Sequence, residues 1–226
     1  MTIKSFILAF LCLTLFKLNA QEQVTADAII IKSVNALKSI NSIEYQVVQE
    51  KTHDLHPNIN ATFICNKDEN VKDIAFGKVM VIAKGNIEQN GKTEEFAFSY
   101  DGDQFKYNKG KKFKKVLNTP AKNLVISYLM PFVYSLNVLP YTKNSYASKS
   151  TRYEYLGKEQ YNGELCYKIK ASILKNGQKK VTYTQYWYIQ CDNYLPIGLT
   201  NKAFTQKINI TALNKEYPKT VFNINP

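Results

Sequence analysis

The chain has 226 residues, enough for one domain with a sizeable hydrophobic core. Its formal net charge is +12, and lysine supplies nearly all of the positive charge because Arg152 is the only arginine. Nucleic-acid sites favour arginine for bidentate contacts, so this composition argues against a nucleic-acid-binding protein. A lysine-rich surface fits solubility, or weak attraction to anionic lipid, better.

The first 20 residues have the pattern of an export signal. A positively charged start is followed by an apolar run at 6–16, and Ala20 gives a small residue at the cleavage point. The run is shorter than the roughly 20 residues that span a bilayer. We expect residues 1–20 to be a signal peptide, cleaved near Ala20-Gln21. Residues 21–226 are then expected to form a single periplasmic or secreted domain, with no transmembrane segment in the mature chain.

The elements after the signal begin with a helix and continue as strands. Residues 25–41 have apolar side chains at three- and four-residue spacing, and Thr25 suits the N-cap of a helix. From Ser42 the apolar period changes to two, which predicts a strand. Turn residues such as Asn90-Gly91 separate the later strands. Extended segments are expected near residues 60–66, 75–84, 96–100, 105–107, 163–173, 180–190, 195–211 and 216–224.

The segment 121–139 breaks the strand pattern because it is apolar on nearly all sides. Thr119 and Pro120 suit the start of a helix, and Pro131 should kink or end that helix. A segment that is apolar all round must be covered on all sides. We therefore expect a helical element that is buried against the sheet.

Side chains that could support catalysis or bind a metal are few. His53 and His56 are the only histidines, and no third metal ligand is evident. The acidic pair Glu94-Glu95 would point to opposite faces of a strand, so its carboxylates would not converge on a substrate. No G-x-S-x-G nucleophile motif occurs. The sequence predicts a non-enzymatic protein with no catalytic residue, no metal and no cofactor.

Three cysteines follow the signal segment, namely Cys65, Cys166 and Cys191. An odd number leaves at least one thiol unpaired within the chain. A two-residue turn at Asn176-Gly177 would place Cys191 opposite Asn162, about 13 Å along the neighbouring strand from Cys166. Because a disulfide needs Cα atoms within about 7 Å, we expect no bond between Cys166 and Cys191.

Alternating aromatic and aliphatic side chains would line one face of the strands. They include Phe96 and Phe98 on one strand and Tyr167 and Ile169 on another. Trp187 is expected to join them, although a one-residue slip within its strand would invert its face. Two interpretations are open: an ordinary packed core, or an apolar cavity that accepts a greasy ligand.

Four segments resemble motifs of the LolA-like periplasmic lipoprotein carriers, the outer-membrane lipoprotein-sorting family. They are the hairpin FSYDGDQFKY at 98–107, the strand pair at 155–169, the WYIQCDNYLP segment at 187–196 and the closing segment at 219–226. The resemblance implies a mainly β fold with helices (α+β). It implies a curved antiparallel half-barrel sheet, covered by an N-terminal helix and by 121–139 as a central apolar helical lid.

This resemblance also implies a function. We predict an exported lipid- or lipoprotein-binding carrier or chaperone that holds acyl chains on the concave face of the sheet, with a lipid or an acylated protein as its ligand. The alternatives are a solidly packed module that binds an envelope protein, through a sheet edge or the lysine-rich hairpin at 109–115, and an unrecognised hydrolase. The residues predicted to line the cavity and its lid are Phe96, Phe98, Leu124, Tyr128, Leu129, Phe132, Tyr167, Ile169 and Trp187.

Overall fold

A computed structural model describes residues 24–53, 56–68, 79–101, 105–109, 112–115, 151–174 and 181–224. In these ranges the chain forms one α-helix, eleven strands and one 3-10 helix. The elements are α1 (Ala26–Ser39), β1 (Ser42–Lys51), β2 (Asn58–Lys67), β3 (Val79–Gln89), β4 (Lys92–Tyr100), β5 (Phe105–Lys109), β6 (Lys112–Lys115), β7 (Thr151–Tyr161), β8 (Glu164–Leu174), β9 (Val181–Gln190), β10 (Pro196–Asn201), β11 (Phe204–Leu213) and the 3-10 helix (Lys219–Phe222).

The strands form one curved, unclosed antiparallel sheet in the order β6-β5-β4-β3-β2-β1-β11-β10-β9-β8-β7. The first and last strands therefore pair with each other at the centre of the sheet, β1 against β11. The α+β half-barrel with an N-terminal helix that the sequence predicted is confirmed. The expected helical lid at 121–139 lies outside the described residues, as does the signal segment.

Helix α1 begins where the sequence predicted. The Thr25 hydroxyl accepts a hydrogen bond from the backbone N–H of Ala28 at 3.2 Å and caps the first turn. Ile30, Val34 and Leu37 recur at helical spacing and are buried in the main apolar cluster. Among the described residues, no helix has the length and apolar character needed to cross a bilayer.

Strand alternation gives the sheet two chemically different faces. Tyr45, Phe63, Phe98 and Trp187 point to the face that belongs to the same apolar cluster as α1, which we call the concave face. Their neighbours along each strand, such as Ser99, point to the opposite, convex face. Because the side-chain period is two, the hydrogen-bonding register of each strand pair decides which residues reach the concave face.

The predicted extended segment 195–211 is instead two strands. Asn201 ends β10, and its side-chain Oδ1 accepts hydrogen bonds from the backbone N–H groups of Ala203 and Phe204 at 2.7 and 3.0 Å. An asparagine that bonds to the backbone two residues later makes a local turn. This turn reverses the chain, so that β11 pairs back against β10.

The last part of the chain crosses the convex face, and we call Lys215–Ile224 the C-terminal strap. Near its start, the Tyr217 hydroxyl donates to the Glu44 carboxylate on β1 at 2.7 Å. Near its end, the backbone N–H of Ile224 donates to the Ser99 hydroxyl on β4 at 3.3 Å. The strap thus spans β1 to β4 and covers apolar residues that alternate away from the concave face.

The strap is anchored by Phe222, whose side chain is fully buried. The sequence predicted 216–224 as extended, whereas Lys219–Phe222 is a 3-10 helix that contacts β3. The tighter turn lets Phe222 point into the sheet and meet the Tyr217 ring edge-on, at 6.5 Å between centroids.

The tip of the β7–β8 hairpin folds onto the other end of the convex face. Asn162-Gly163 forms the turn with positive φ at both residues. Tyr161 beside it stacks on Tyr188 at 3.7 Å between ring centroids, and its hydroxyl donates to the backbone carbonyl of Gln206. The ring also lies over Gly198, where an added Cβ would come within 2.0 Å of it.

The cysteine geometry corrects one prediction. Cys166 pairs with Gln190, and the backbone N–H of Cys191 donates to the Leu165 carbonyl at 3.0 Å. The predicted placement of Cys191 opposite Asn162 was therefore wrong, and a register shift beside Leu174 accompanies the difference. Neighbouring positions on paired strands face opposite sides of a sheet. Cys166 and Cys191 do not form a disulfide, as predicted, and their thiols are free, like that of Cys65.

We predict that Phe222→Ala lowers the free energy of unfolding by about 3–5 kcal/mol, because it leaves a cavity under the strap. Urea denaturation followed by circular dichroism measures the change. Thr220→Ala, at an exposed position on the same 3-10 helix, is the control and should stay within about 0.5 kcal/mol of the wild type. Equal effects of the two substitutions would contradict an anchoring role for Phe222.

A double-mutant cycle tests the hairpin tip. Gly198→Ala should cost about 1–3 kcal/mol, because its methyl group overlaps the Tyr161 ring. In a Tyr161→Ala background the sign should reverse, since replacing glycine by alanine within a strand stabilises by about 0.5–1 kcal/mol when no clash occurs. The same cost in both backgrounds would show that the ring does not lie over Gly198.

Thiol labelling tests the placement of the cysteines. Burial raises the pKa of both Cys65 and Cys166 to about 12, and only the thiolate reacts with iodoacetamide. In native protein at pH 8 we expect labelling at the half-buried Cys191, with Cys65 and Cys166 reacting only after unfolding. Peptide mass spectrometry identifies the labelled sites. Rapid native labelling of Cys166 would contradict the structure.

Candidate functional site

The candidate site is the concave face, where the structure places five of the nine predicted residues. Phe96 and Phe98 lie on β4, Tyr167 and Ile169 on β8, and Trp187 on β9. All five are buried and belong to one apolar cluster. The other four predicted residues, Leu124, Tyr128, Leu129 and Phe132, lie outside the described residues.

The five residues occupy two separate parts of the sheet. Five strands lie between β4 and β9, so the phenylalanines and Trp187 are on opposite wings. We call β1–β4 the first wing and β7–β10 the second wing. The residues of each wing have to be considered separately, because the two wings differ in how their aromatic side chains are packed.

The first wing is a closely packed core. Tyr45 and Phe63 stack with 5.1 Å between their ring centroids and nearly parallel planes. Phe63 in turn meets the edge of Phe98 at 6.0 Å. All three side chains have no exposed surface. Interlocked rings of this kind leave little room for a ligand, so Phe98 in the present conformation acts as a core residue.

The second wing carries a continuous apolar row. The cross-strand partners Tyr155, Ile169, Trp187 and Leu199 lie side by side on β7, β8, β9 and β10. Ile169, Trp187 and Leu199 are buried, whereas Tyr155 on the edge strand is half-buried. The uncertainty over the face of Trp187 is thereby resolved, since its neighbours Tyr186 and Tyr188 point to the convex face.

Two tyrosines and two lysines border the apolar row of the second wing, and we call them the rim. Tyr167 stacks on Tyr194 with 5.7 Å between ring centroids. The Lys158 ammonium lies 5.3 Å from the Tyr167 ring centroid, and the Lys32 ammonium donates to the Tyr194 hydroxyl at 3.4 Å. Neither lysine pairs with a carboxylate of the described part of the chain. The rim therefore offers two ammonium groups next to a buried apolar row.

The tyrosine hydroxyls of the rim form a polarised pair. The hydrogen bond between them raises the pKa of Tyr167 to about 12. The same bond, followed by the Lys32 contact, lowers the pKa of Tyr194. The Lys32 ammonium, which donates to the Tyr194 hydroxyl, favours the ionised form of Tyr194.

A polar pair lies between the two wings, where β1 meets β11. The Gln206 side-chain amide donates to the Gln49 carbonyl oxygen at 2.6 Å, and the Gln49 amide donates to the Pro57 carbonyl at 2.8 Å. Both glutamines are buried, at 2 and 1% exposure. Within the described ranges, the Oε1 of Gln206 has no hydrogen-bond partner. Such a buried unsatisfied group costs about 1–3 kcal/mol.

A cleft of about 520 Å³ lies on strands β1–β4 and includes Gln49 in its lining. Most of its lining side chains alternate away from the concave face, as Val48 does between Val47 and Gln49. None of the nine predicted residues lines it. The cleft is lined by Val48, Gln49, Glu50, Lys51, Asn58, Ile59, Asn60, Asn86, Glu88 and Thr93.

The sequence did not single out Gln49, Gln206, Leu199 or Tyr194 for this face. For Gln49 a signal existed, because it continues the period-two series of Ile43, Tyr45 and Val47. Gln206 stands two residues before the buried Ile208 and can be placed in the same way. Their hydrogen bond depends on the pairing of β1 with β11, which no local pattern specifies.

The sequence predicted no metal site at His53 and His56. In the described ranges, no three histidine, cysteine, aspartate or glutamate side chains come together as metal ligands. The His56 ring instead packs against Phe204, with 5.5 Å between centroids.

Sequence comparisons give no relative for this chain: no protein-family model matches it, and no curated protein matches it in sequence. Solved structures do match. MucB is 13% identical over 88% of this chain and 62% of its own, with a TM-score of 0.53. LppX, a lipoprotein of Mycobacterium tuberculosis, is 16% identical over 85% of this chain and 97% of its own, with a TM-score of 0.49.

A LolA superfamily protein from Nitrosomonas europaea also matches, at 10% identity over 89% of this chain and 98% of its own, with a TM-score of 0.32. The likeness to MucB shows a shared fold, and the LolA-like fold that the sequence predicted is supported. At these identities the likeness concerns the fold alone. Function has to be argued from the residues of the concave face.

Proposed function

We propose that the protein is an exported, non-enzymatic carrier or chaperone that binds the acyl chains of a lipid or of an acylated protein. The observation that carries this proposal is the apolar row of Tyr155, Ile169, Trp187 and Leu199 on the second wing. Each methylene buried on such a surface contributes about 0.8 kcal/mol. A long acyl chain can therefore be held firmly without any covalent chemistry.

The rim of the second wing supports an amphiphilic ligand. Acyl chains in the apolar row would place a polar headgroup near Lys32 and Lys158, whose ammonium groups contact only aromatic rings and a tyrosine hydroxyl among the described residues. Tyrosine side chains combine an apolar ring with a polar hydroxyl, so they suit the boundary between an apolar groove and water. This arrangement favours ligands with a polar end over wholly apolar ones.

The proposal keeps all nine residues predicted from the sequence, with different roles. Tyr167, Ile169 and Trp187 belong to the ligand-binding wing, whereas Phe96 and Phe98 support it from the packed wing. Leu124, Tyr128, Leu129 and Phe132 are proposed as lining residues from the sequence pattern alone. Export through a signal at residues 1–20, and one domain over residues 21–226, complete the proposal.

A second candidate is a module that binds an envelope protein without holding lipid. The packing of Tyr45, Phe63 and Phe98 favours it, because this wing already resembles a solid core. The two candidates differ in what occupies the second wing. A carrier takes an acyl chain there, whereas a protein-binding module keeps the concave side filled by its own residues.

Fluorescence of Trp187, the only tryptophan, can separate the two candidates. Brominated fatty acids quench tryptophan only at short range. We expect a brominated hexadecanoic acid to quench Trp187 of the purified protein, while the unbrominated acid does not. Organic extraction followed by mass spectrometry should also recover co-purified lipid.

The control moves the tryptophan to the other face of the same strand. The double variant Trp187→Phe/Tyr188→Trp places the indole on the convex side one residue away, and its quenching should fall by at least about fivefold because the chain binds on the other side of the sheet. Equal quenching in the two proteins would mean unspecific adsorption. Absent quenching of Trp187, with no extracted lipid, would favour the protein-binding module.

A further inference from the structure

The glutamine pair lies on the concave face of the central strand pair, near the end of β1 and the start of β11, and its other cross-strand neighbours are apolar. In the hydrogen-bonding register, Gln206 lies opposite Leu199 on one side and Gln49 on the other. Gln49 in turn lies opposite Ile59. Two amides beside apolar cross-strand neighbours are costly to bury, so their pairing and their one unpaired atom are informative.

The orientation of both amides is fixed by Pro57. The Pro57 carbonyl can only accept, so the Gln49 nitrogen must be the atom that faces it. The Gln49 oxygen therefore accepts from the Gln206 nitrogen. Turning the Gln206 amide over would bring two carbonyl oxygens together. Hence the free atom is the Gln206 oxygen, a hydrogen-bond acceptor without a donor in the described part of the chain.

We propose that the Gln206 side-chain oxygen is a specificity-determining subsite, which accepts a hydrogen bond from a neutral donor on an acyl ligand. This inference rests on the proposed lipid-binding function and names the ligand class: acyl chains that carry a hydroxyl or an amide N–H. A carboxylate has no proton to donate, and an ammonium group would lose its hydration among Leu199, Ile208 and Val47. Neutral donors are therefore selected.

The position of the subsite suits a chain that enters along the second wing. Leu199 separates Gln206 from Trp187, so two strand spacings lie between them, about 10 Å. A chain that contacts Trp187 and runs along the row toward β1 would bring its donor to Gln206. A plain acyl chain in the same place would cover the oxygen without satisfying it.

The test compares ligands of equal length on the purified, delipidated protein. Dissociation constants for hexadecanoic acid, 3-hydroxyhexadecanoic acid, 10-hydroxyhexadecanoic acid and hexadecanamide are measured by Trp187 fluorescence. At least one donor-bearing ligand should bind about tenfold tighter than the plain acid, the usual net effect of one added hydrogen bond. The hydroxyl and amide arms show which kind of donor the subsite takes.

Two matched variants place the preference on Gln206. In Gln206→Met the ratio should fall to about one, because the donor-bearing ligands lose their acceptor and the plain acid no longer covers an unsatisfied oxygen. Gln46→Met, the same substitution on the convex side of β1, should retain the tenfold ratio. Thermal unfolding shows whether each variant is folded. If Gln206→Met does not fold, the ratio of the dissociation constants measured for the wild type decides whether the subsite is retained as an inference.

The outcomes separate this inference from the function on which it rests. Equal affinities in the wild type, or a preference that persists in Gln206→Met, would overturn the subsite while leaving lipid binding intact. Failure of every ligand to bind would overturn the proposed function and the subsite with it. A tenfold preference that disappears only in Gln206→Met supports both.

Discussion

The whole structure depends on keeping one register across eleven antiparallel strands. Alternation puts every second side chain on the concave face, so Phe98, Tyr45 and Trp187 share that face only while each strand pair keeps its alignment. A slip of one residue in the central pair, β1 with β11, would turn one wing inside out relative to the other. The buried bond between Gln49 and Gln206 crosses this same pair and ties its alignment to the turn at Pro57.

Apolar side chains on the convex face of this sheet also have to be covered from water. Here the two ends of the convex face are covered by different means: the C-terminal strap through Phe222, and the β7–β8 hairpin tip through Tyr161. Both coverings bury aromatic side chains outside the concave face. Bulges in β7 and β10 add local twist to the second wing, where the tip folds over.

Local patterns in the sequence were sufficient for much of this architecture. The Thr25 cap located α1, and period-two alternation placed Ile169 and Phe98 on one face, because both signals act within a few residues. Local patterns could not predict which distant strands pair, or in which register. The distance between Cys166 and Cys191 depends on the true β8–β9 register, and the unpaired Gln206 oxygen depends on strands about 160 residues apart meeting, which loop closure and packing decide.

The two wings differ in how closely their side chains pack, and this difference indicates where an acyl chain would enter the proposed carrier. Opening the first wing would separate the fully buried Tyr45, Phe63 and Phe98 rings, and the cost would approach that of creating a core cavity. The second wing ends at the edge strand β7, and its half-buried Tyr155 already contacts water, as does the half-buried Tyr194 between β9 and β10. Displacing such side chains sacrifices less packing, and the ligand replaces the contacts that are lost. For the proposed carrier, this difference favours entry of an acyl chain along β7–β10, with the packed first wing as a rigid support.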